Sequence, residues 1–214
     1  MTVQTATLNR TVMQTFWYWL YRMLGWNGEY RHPDTEKFII IVAPHTSNFD
    51  FLIGFIYSRA FGMPFPNFLA KDSLFRGALG PVFRWLGGIP VNRSQRTNFV
   101  DQVAAEFHKR KRMILAITPE GTRSKAEYWK TGFYFMAQKA NVPVIMASID
   151  YARKFISCGD VADVTGDLNA DMAKIRAYYA NVSPRHPHRY GEIRVRPPVD
   201  EEEKDSANGD VGSV

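Results

Sequence analysis

The sequence predicts an α/β fold: a single domain with a mixed, mostly parallel sheet flanked by helices, led by an amphipathic, aromatic-rich N-terminal helix. Three observations carry that expectation. Short β-branched and apolar runs at residues 38–42, 113–117 and 142–149 have the length and composition of buried strands. Between them lie longer stretches with apolar residues at helical spacing, and strands alternating with helices indicate an α/β architecture. The chain has 214 residues, 45% hydrophobic and 22% charged, enough to bury one substantial core.

In chain order, residues 1–8 are polar, and residues 10–26 read as a helix carrying Phe16, Trp17, Tyr18, Trp19, Leu20, Tyr21, Met23, Leu24 and Trp26. This stretch is shorter than the run of about 20 apolar residues that spans a bilayer. It also lacks the small-residue cleavage site of a secretory signal. Two placements suit it: in the plane of a membrane, with Arg10 and Arg22 at headgroup level, or packed on the protein's own core. Gly25 and Gly28 mark its end.

Residues 38–42 form the first buried strand, and a turn from Ala43 to Asp50 leads into a mostly apolar helix over 51–61. Gly62, Pro64 and Pro66 break that helix. Residues 67–70 read as a short strand ending at Lys71, and 73–85 as a helix despite Gly77, Gly80 and Pro81. A very short strand at 89–91, set off by Gly87, Gly88 and Pro90, delivers Arg93. Residues 95–112 form an amphipathic helix with Phe99, Val103, Ala104 and Phe107 on one face. Its cations from His108 to Arg112 complement the helix dipole. A strand at 113–117, a loop at 118–130, a helix at 131–140, a strand at 142–149, a helix at 168–180 and a closing strand at 193–196 complete the series.

The formal charge of +6 is unevenly spread. Residues 200–214 hold six acids against Lys204, so removing that −5 leaves +11 on residues 1–199. A body this basic favours anionic partners, and the acidic tail is expected to be disordered. One cysteine, Cys158, excludes an intramolecular disulfide, suits a reducing compartment and offers no soft-metal site.

Two stretches carry chemistry. His45 falls on a strand-to-helix turn, with Ser47 as the expected N-cap and Asp50 in the first helical turn, its carboxylate able to reach back to the imidazole. A histidine whose far nitrogen is held by a carboxylate can act as a general base on an alcohol or thiol. The same spacing is also an ordinary capping box. The second stretch, Thr118 to Ser124, combines amides freed by Gly121, the Thr122 hydroxyl and the fork of Arg123 into a phosphate receptor at a strand end. Glu120 fits there by orienting Arg123 or by taking a substrate hydroxyl. In a parallel sheet, ligands bind beyond the carboxyl ends of the strands, and His45, Arg93 and the Glu120–Arg123 loop all fall at such ends.

The four ordered blocks His45 to Asp50, Gly88 to Arg93, Pro119 to Ser124 and Val142 to Ile145 resemble those of the glycerophospholipid acyltransferase family, which includes the 1-acylglycerol-3-phosphate (lysophosphatidic acid) acyltransferases. Thr118 stands where that family usually has Phe. The resemblance implies an acyltransferase domain over residues 31–199, between a membrane-associating helix at 1–30 and the acidic tail. It implies an O-acyltransferase of phospholipid biosynthesis that moves a fatty acyl group from acyl-CoA or acyl-carrier protein to the free hydroxyl of a lysophospholipid. His45 and Asp50 would be catalytic. Arg93 and Arg123 would bind the acceptor phosphate, with Glu120, Gly121 and Thr122 shaping the loop, and Lys71 or amides near it would face the thioester oxyanion. No metal or cofactor is expected, since a thioester is already activated. The expected location is the cytoplasmic face of a membrane, peripheral or monotopic.

Two rival readings remain at this level. A catalytically silent membrane-surface module would use the basic body and the aromatic helix, and another lysolipid or lipid-linked hydroxyl could serve as acceptor. Nucleic-acid binding is disfavoured, because the aromatics lie in apolar runs and do not interleave with the basic residues as a stacking platform requires.

Overall fold

Strand β2 (Lys37–Ala43) sits inside the main sheet because its Phe-Ile-Ile-Ile-Val run is apolar on both faces. It pairs in parallel with β5 (Met113–Ile117) on one side and with β6 (Val144–Asp150) on the other. The computed structural model describes residues 10–92 and 98–197. Arg93 and the acidic tail at 200–214 lie outside them.

The sheet has five strands in the order β1-β7-β6-β2-β5, with β1 at Asn27–Tyr30 and β7 at Phe155–Ala162. All its pairings are parallel except β6 with β7, so it is mixed and mostly parallel, as the sequence predicts. A second parallel pair, β3 (Phe68–Lys71) with β4 (Gly88–Val91), attaches to the outer edge of β5 through Asn67, which pairs with Leu115. The carboxyl ends of β3, β4, β5, β2 and β6 therefore share one edge.

Alternation along β2 divides the core. Ile39, Ile41 and Ala43 face one way, toward α4 (Phe99–Lys109), α5 (Gly132–Ala140) and α6 (Leu168–Tyr179), against Val103, Phe107, Phe133, Met136, Met172 and Tyr179. Phe38 and Ile40 face the other way, toward α1 (Val12–Met23) and α2 (Phe49–Ala60), against Tyr21, Ile53, Ile56 and Tyr57. Helices thus cover both faces of the sheet.

Helix α1 starts at a capping box in which Thr11 and Gln14 satisfy each other's backbone amides. It is shorter than the 10–26 stretch expected. Tyr21 is fully buried, with ring contacts to Tyr57 of α2 and to Phe61 just beyond it. The residues one helical face away stay bare: Val12 is 90% exposed, Trp19 60% and Met23 64%. One side of α1 therefore packs on the core and the other has no protein partner among the described residues. No helix among the described residues is long and apolar enough to cross a membrane.

Several sequence expectations need correction. The helix expected over 73–85 is two pieces, a 3₁₀ turn at Asp72–Phe75 and the short α3 (Gly80–Trp85). Gly80 packs so tightly that an added Cβ would stand 2.3 Å from the Phe75 carbonyl oxygen, and Pro81 fits only at the start of a helix. The strand expected at 193–196 is a single bridge from Val195 to Trp129. Strands β1 and β7 went unpredicted: β1 is Asn-Gly-Glu-Tyr, polar by composition, and β7 is interrupted by Gly159 and Asp160.

Candidate active site

The chain leaves β2 at Ala43 and turns through Pro44 to Asn48 before α2 begins at Phe49. Asp50, 3% exposed, gathers this turn around its carboxylate. Its Oδ2 accepts from the backbone amides of Thr46 and Ser47, both at 2.9 Å, and lies 3.1 Å from His45 Nδ1. Ser47 does not cap the helix as expected: its hydroxyl accepts from the Phe49 amide, two residues on. The carboxylate does the organising, from inside the first turn.

Asp50 Oδ1 accepts from the Tyr151 hydroxyl at 2.6 Å. Burial pushes the Asp50 pKa up, but the hydrogen bonds from His45, Tyr151 and the Ser47 amide together outweigh it and hold the carboxyl below its ordinary range. An ionised Asp50 requires the proton of a neutral His45 to sit on Nδ1, which leaves Nε2 as the free basic nitrogen.

Glu120 is the other buried acid of the site. It does not orient Arg123, as its place in the loop had suggested; its Oε1 accepts from the His45 backbone amide at 3.0 Å. Burial raises its pKa to about 7, offset in part by that amide. Its Oε2 finds no partner among the described residues, and neither does the nearby Tyr190 hydroxyl.

Arg123 instead donates from Nη1 to the Asn48 side-chain oxygen, so the Glu120–Arg123 loop touches the His45 turn at both ends. Gly121 has φ +65°, and a Cβ there would stand 2.5 Å from Lys130 Nζ. Thr122 Oγ1 accepts from the Ser124 amide, which fixes the loop, and Thr122 and Arg123 are exposed. Lys71 ends β3, in the two-stranded unit beyond β5, with an exposed side chain. The structure therefore brings His45, Asp50, Glu120 and Arg123 together, sets Lys71 at the end of β3 on the same sheet edge, and does not describe Arg93.

A cavity of about 540 Å³ opens beside this cluster. His45, Asn48, Thr118 and Arg123 stand at one end. From there it runs beneath α2 over Ile40, Val42, Ala147 and Ile149 to Ile156 and Cys158 on β7. Its walls are mostly apolar, and at its far end burial pushes the Cys158 thiol up to about 12. Crossing from β5 to β7 is three strand spacings, about 14 Å. Among the described residues, no three His, Cys, Asp or Glu side chains gather as metal ligands do.

Sequence reasoning missed a further layer. Residues 183–190 strap over the turn: the His186 amide donates to Thr46 Oγ1 at 3.2 Å, and Arg189 Nη1 to the Thr46 carbonyl at 3.5 Å. The Arg185 guanidinium lies 4.3 Å from the centre of the Phe49 ring. Tyr151 had a legible signal, because it directly follows the end of a buried parallel strand. The strap had none, since its target lies about 140 residues away.

A histidine–carboxylate pair at the strand ends of an α/β sheet, beside an apolar cavity and a loop arginine, is an arrangement able to do acid–base chemistry on an amphiphile. A sequence model of the family described as Acyltransferase matches residues 27–150, more than half the chain and a span that includes His45, Asp50, Glu120 and Arg123. The chain belongs to that acyltransferase family. Among solved structures it is similar to the 1-acyl-sn-glycerophosphate (LPA) acyltransferase PlsC from Thermotoga maritima, at 17% identity and a TM-score of 0.49, covering 76% of this chain and 73% of that one. No curated protein matches the chain by sequence.

Proposed function

We propose that the protein moves a fatty acyl group from acyl-CoA or acyl-carrier protein to the free hydroxyl of a lysophospholipid, with 1-acylglycerol-3-phosphate the acceptor of choice, at the surface of a membrane. The observation that carries this reading is the His45–Asp50 pair, 3.1 Å apart, at one end of a long apolar cavity whose rim holds Arg123.

The chemistry follows from the free Nε2. It takes the proton of the acceptor hydroxyl as that oxygen attacks the thioester carbonyl carbon. The imidazolium formed is stabilised by the ionised Asp50. When the tetrahedral intermediate collapses, the carbon–sulfur bond breaks and the imidazolium returns its proton to the leaving sulfur. The products are the ester and a free thiol, and the enzyme is unchanged. The cavity under α2 suits a fatty acyl chain, and Arg123 suits an acceptor phosphate, with Arg93 and Lys71 as further candidates for phosphate and oxyanion contact.

Lipid access supports the membrane part. The Trp17 ring packs edge-on against Phe55 at 5.7 Å, and Phe55 and Phe51 both meet Phe65 edge-on. Phe16, on the bare face of α1, meets the Trp17 ring edge-on at 5.5 Å, and Phe51, Phe55 and Phe65 line the cavity, so a series of aromatic rings links that face to the cavity. Arg10, stacked on Tyr18, and Arg22 flank α1 with positive charge for an anionic bilayer. The cytoplasmic face is the side where acyl thioester donors and a reduced Cys158 are expected.

The test is a panel of lysolipids offered to purified protein with acyl-CoA and with acyl-carrier protein, read by mass spectrometry. Acylation of 1-acylglycerol-3-phosphate above other acceptors is the expected result. Vesicle binding with no acyl transfer to any lysolipid would instead support a silent membrane module.

A further inference from the structure

We propose that Tyr151 is a positioning residue for the histidine–carboxylate pair: its hydroxyl fixes the Asp50 carboxylate and tempers how strongly that carboxylate draws a proton onto His45. The inference rests on the acyltransferase reading for its kinetic arm only. Tyr151 lies one residue beyond the span matched by the acyltransferase family, 27–150, and its partner Arg185 lies far beyond it.

The Asp50 carboxylate has two oxygens with different tasks. Oδ2 serves His45 Nδ1 and the amides of Thr46 and Ser47. Oδ1 serves Tyr151 at 2.6 Å, a short, charge-assisted bond. Without a donor on Oδ1, the carboxylate would stay on His45 through Oδ2, held by the Thr46 and Ser47 amides, but with a looser orientation and its full negative charge.

Tyr151 is itself held on three sides. The edge of the Trp26 ring meets it at 5.0 Å, its amide donates to the Ser183 carbonyl at 2.9 Å, and the Arg185 guanidinium lies 5.9 Å from its ring. Burial, then the charge and hydrogen bond of Asp50, raise the Tyr151 pKa, so the phenol stays protonated and remains a donor. The other charged or titratable groups around Asp50 are Glu120 behind His45, Arg123 on Asn48 and Arg189 on Thr46. Asp150, next in the chain, is paired with Arg153 at 2.7 Å.

A donor on Oδ1 draws negative charge away from Oδ2. Removing it leaves the carboxylate a stronger base and the imidazolium better stabilised, so both titration steps of the coupled pair move to higher pH. Strengthening the donor moves both steps to lower pH. A residue that merely filled space would do neither.

The experiment compares wild type, Tyr151→Phe and protein with 3-fluorotyrosine incorporated at position 151, following the His45 ring by NMR from pH 4 to 9 and the pH profile of acyl transfer. In Tyr151→Phe the titration of the pair moves up by about half a unit. In the same variant kcat falls about tenfold with little change in KM, and the acid limb of kcat/KM follows the NMR shift. Fluorotyrosine, a better donor of the same shape, moves the titration down, and it decides the matter if Tyr151→Phe does not fold. An NMR titration unmoved by both changes overturns the proposal. If wild type transfers acyl groups to no acceptor, the acyltransferase reading fails while the NMR titration still decides the role of Tyr151.

Discussion

The buried Glu120 carboxylate accepts from the backbone amide of His45 at 3.0 Å, so a side chain 75 residues along the sequence anchors the residue that carries the general base. Burial raises the Glu120 pKa from 4.5 to about 7. A carboxyl whose folded pKa lies above its unfolded one stabilises the fold fully below the unfolded value, and that contribution is lost as pH rises through the folded value. Wild-type stability is therefore expected to fall between pH 4.5 and about 7, by up to about 3 kcal/mol. Glu120→Gln keeps an oxygen to accept from His45 and removes the ionisation. Its urea-denaturation midpoint should stay level across this window. A variant with the same slope as wild type would assign the slope to another group.

Asp50 is the acid whose loss does most damage. His45→Ala should lower acyl transfer by about 10² to 10⁴-fold, the range general-base catalysis supplies, with little change in stability. Asp50→Ala should match that loss and also destabilise, because it strands the buried amide of Thr46 and the half-buried Ser47 amide and Tyr151 hydroxyl, at up to about 1 to 3 kcal/mol for each unpaired group. Thermal denaturation beside single-turnover rates separates the two effects. A His45→Ala protein that kept a tenth of wild-type activity would remove His45 from the chemistry.

Arg123 is exposed and, among the described residues, held through Asn48, which leaves it placed to meet an anion at the cavity rim. Arg123→Ala should raise KM for a phosphorylated acceptor by about tenfold or more, the worth of a charge-assisted hydrogen bond. Arg123→Lys should recover only part of it, since an ammonium lacks the planar fork. Asn48→Ala should show a smaller rise, because it frees the guanidinium without removing it. An unchanged KM in Arg123→Ala would detach this loop from acceptor binding.

The bare face of α1 gives a prediction independent of the chemistry. Phe16→Ser with Trp19→Ser removes two half-exposed apolar side chains and leaves buried Tyr21 in place. Each such side chain contributes about 1.5 to 3 kcal/mol when it leaves water, so sedimentation with vesicles containing anionic lipid should drop sharply while thermal stability holds. Equal sedimentation of wild type and variant would place the lipid contact elsewhere.

What the sequence made legible was whatever a period or a local motif encodes. The isoleucine run of β2 declares a strand buried on both faces, and the five-residue interval from His45 to Asp50 sets an imidazole beside a carboxylate. Pairings between distant segments left no such mark. Polar β1 is a strand only because β7 offers it an edge, and Glu120 reads as a loop acid until the fold sets it beneath His45. Arg185 and the strap at 183–190 belong to the site through contacts across more than 100 residues, which no local pattern records, whereas Tyr151 is marked only by its place just past the end of a buried strand.

Gly54 offers the sharpest test of the cavity. It lies within α2 and lines the cavity, and a Cβ placed on it meets nothing within 4 Å. Helix propensity alone favours replacing it, since glycine in a helix interior is about 1 kcal/mol worse than alanine. Gly54→Leu should therefore fold at least as stably as wild type while its side chain projects into the path toward Cys158. If the acyl chain lies there, kcat/KM for long-chain donors should fall well beyond that for short ones. Each methylene excluded from an apolar site is worth about 1 to 3 kcal/mol of discrimination, so several together should shift the preferred chain by two or more carbons. The measurement is competition between acyl-CoA donors of graded length. A uniform loss at every length would mean that the chain lies outside this cavity.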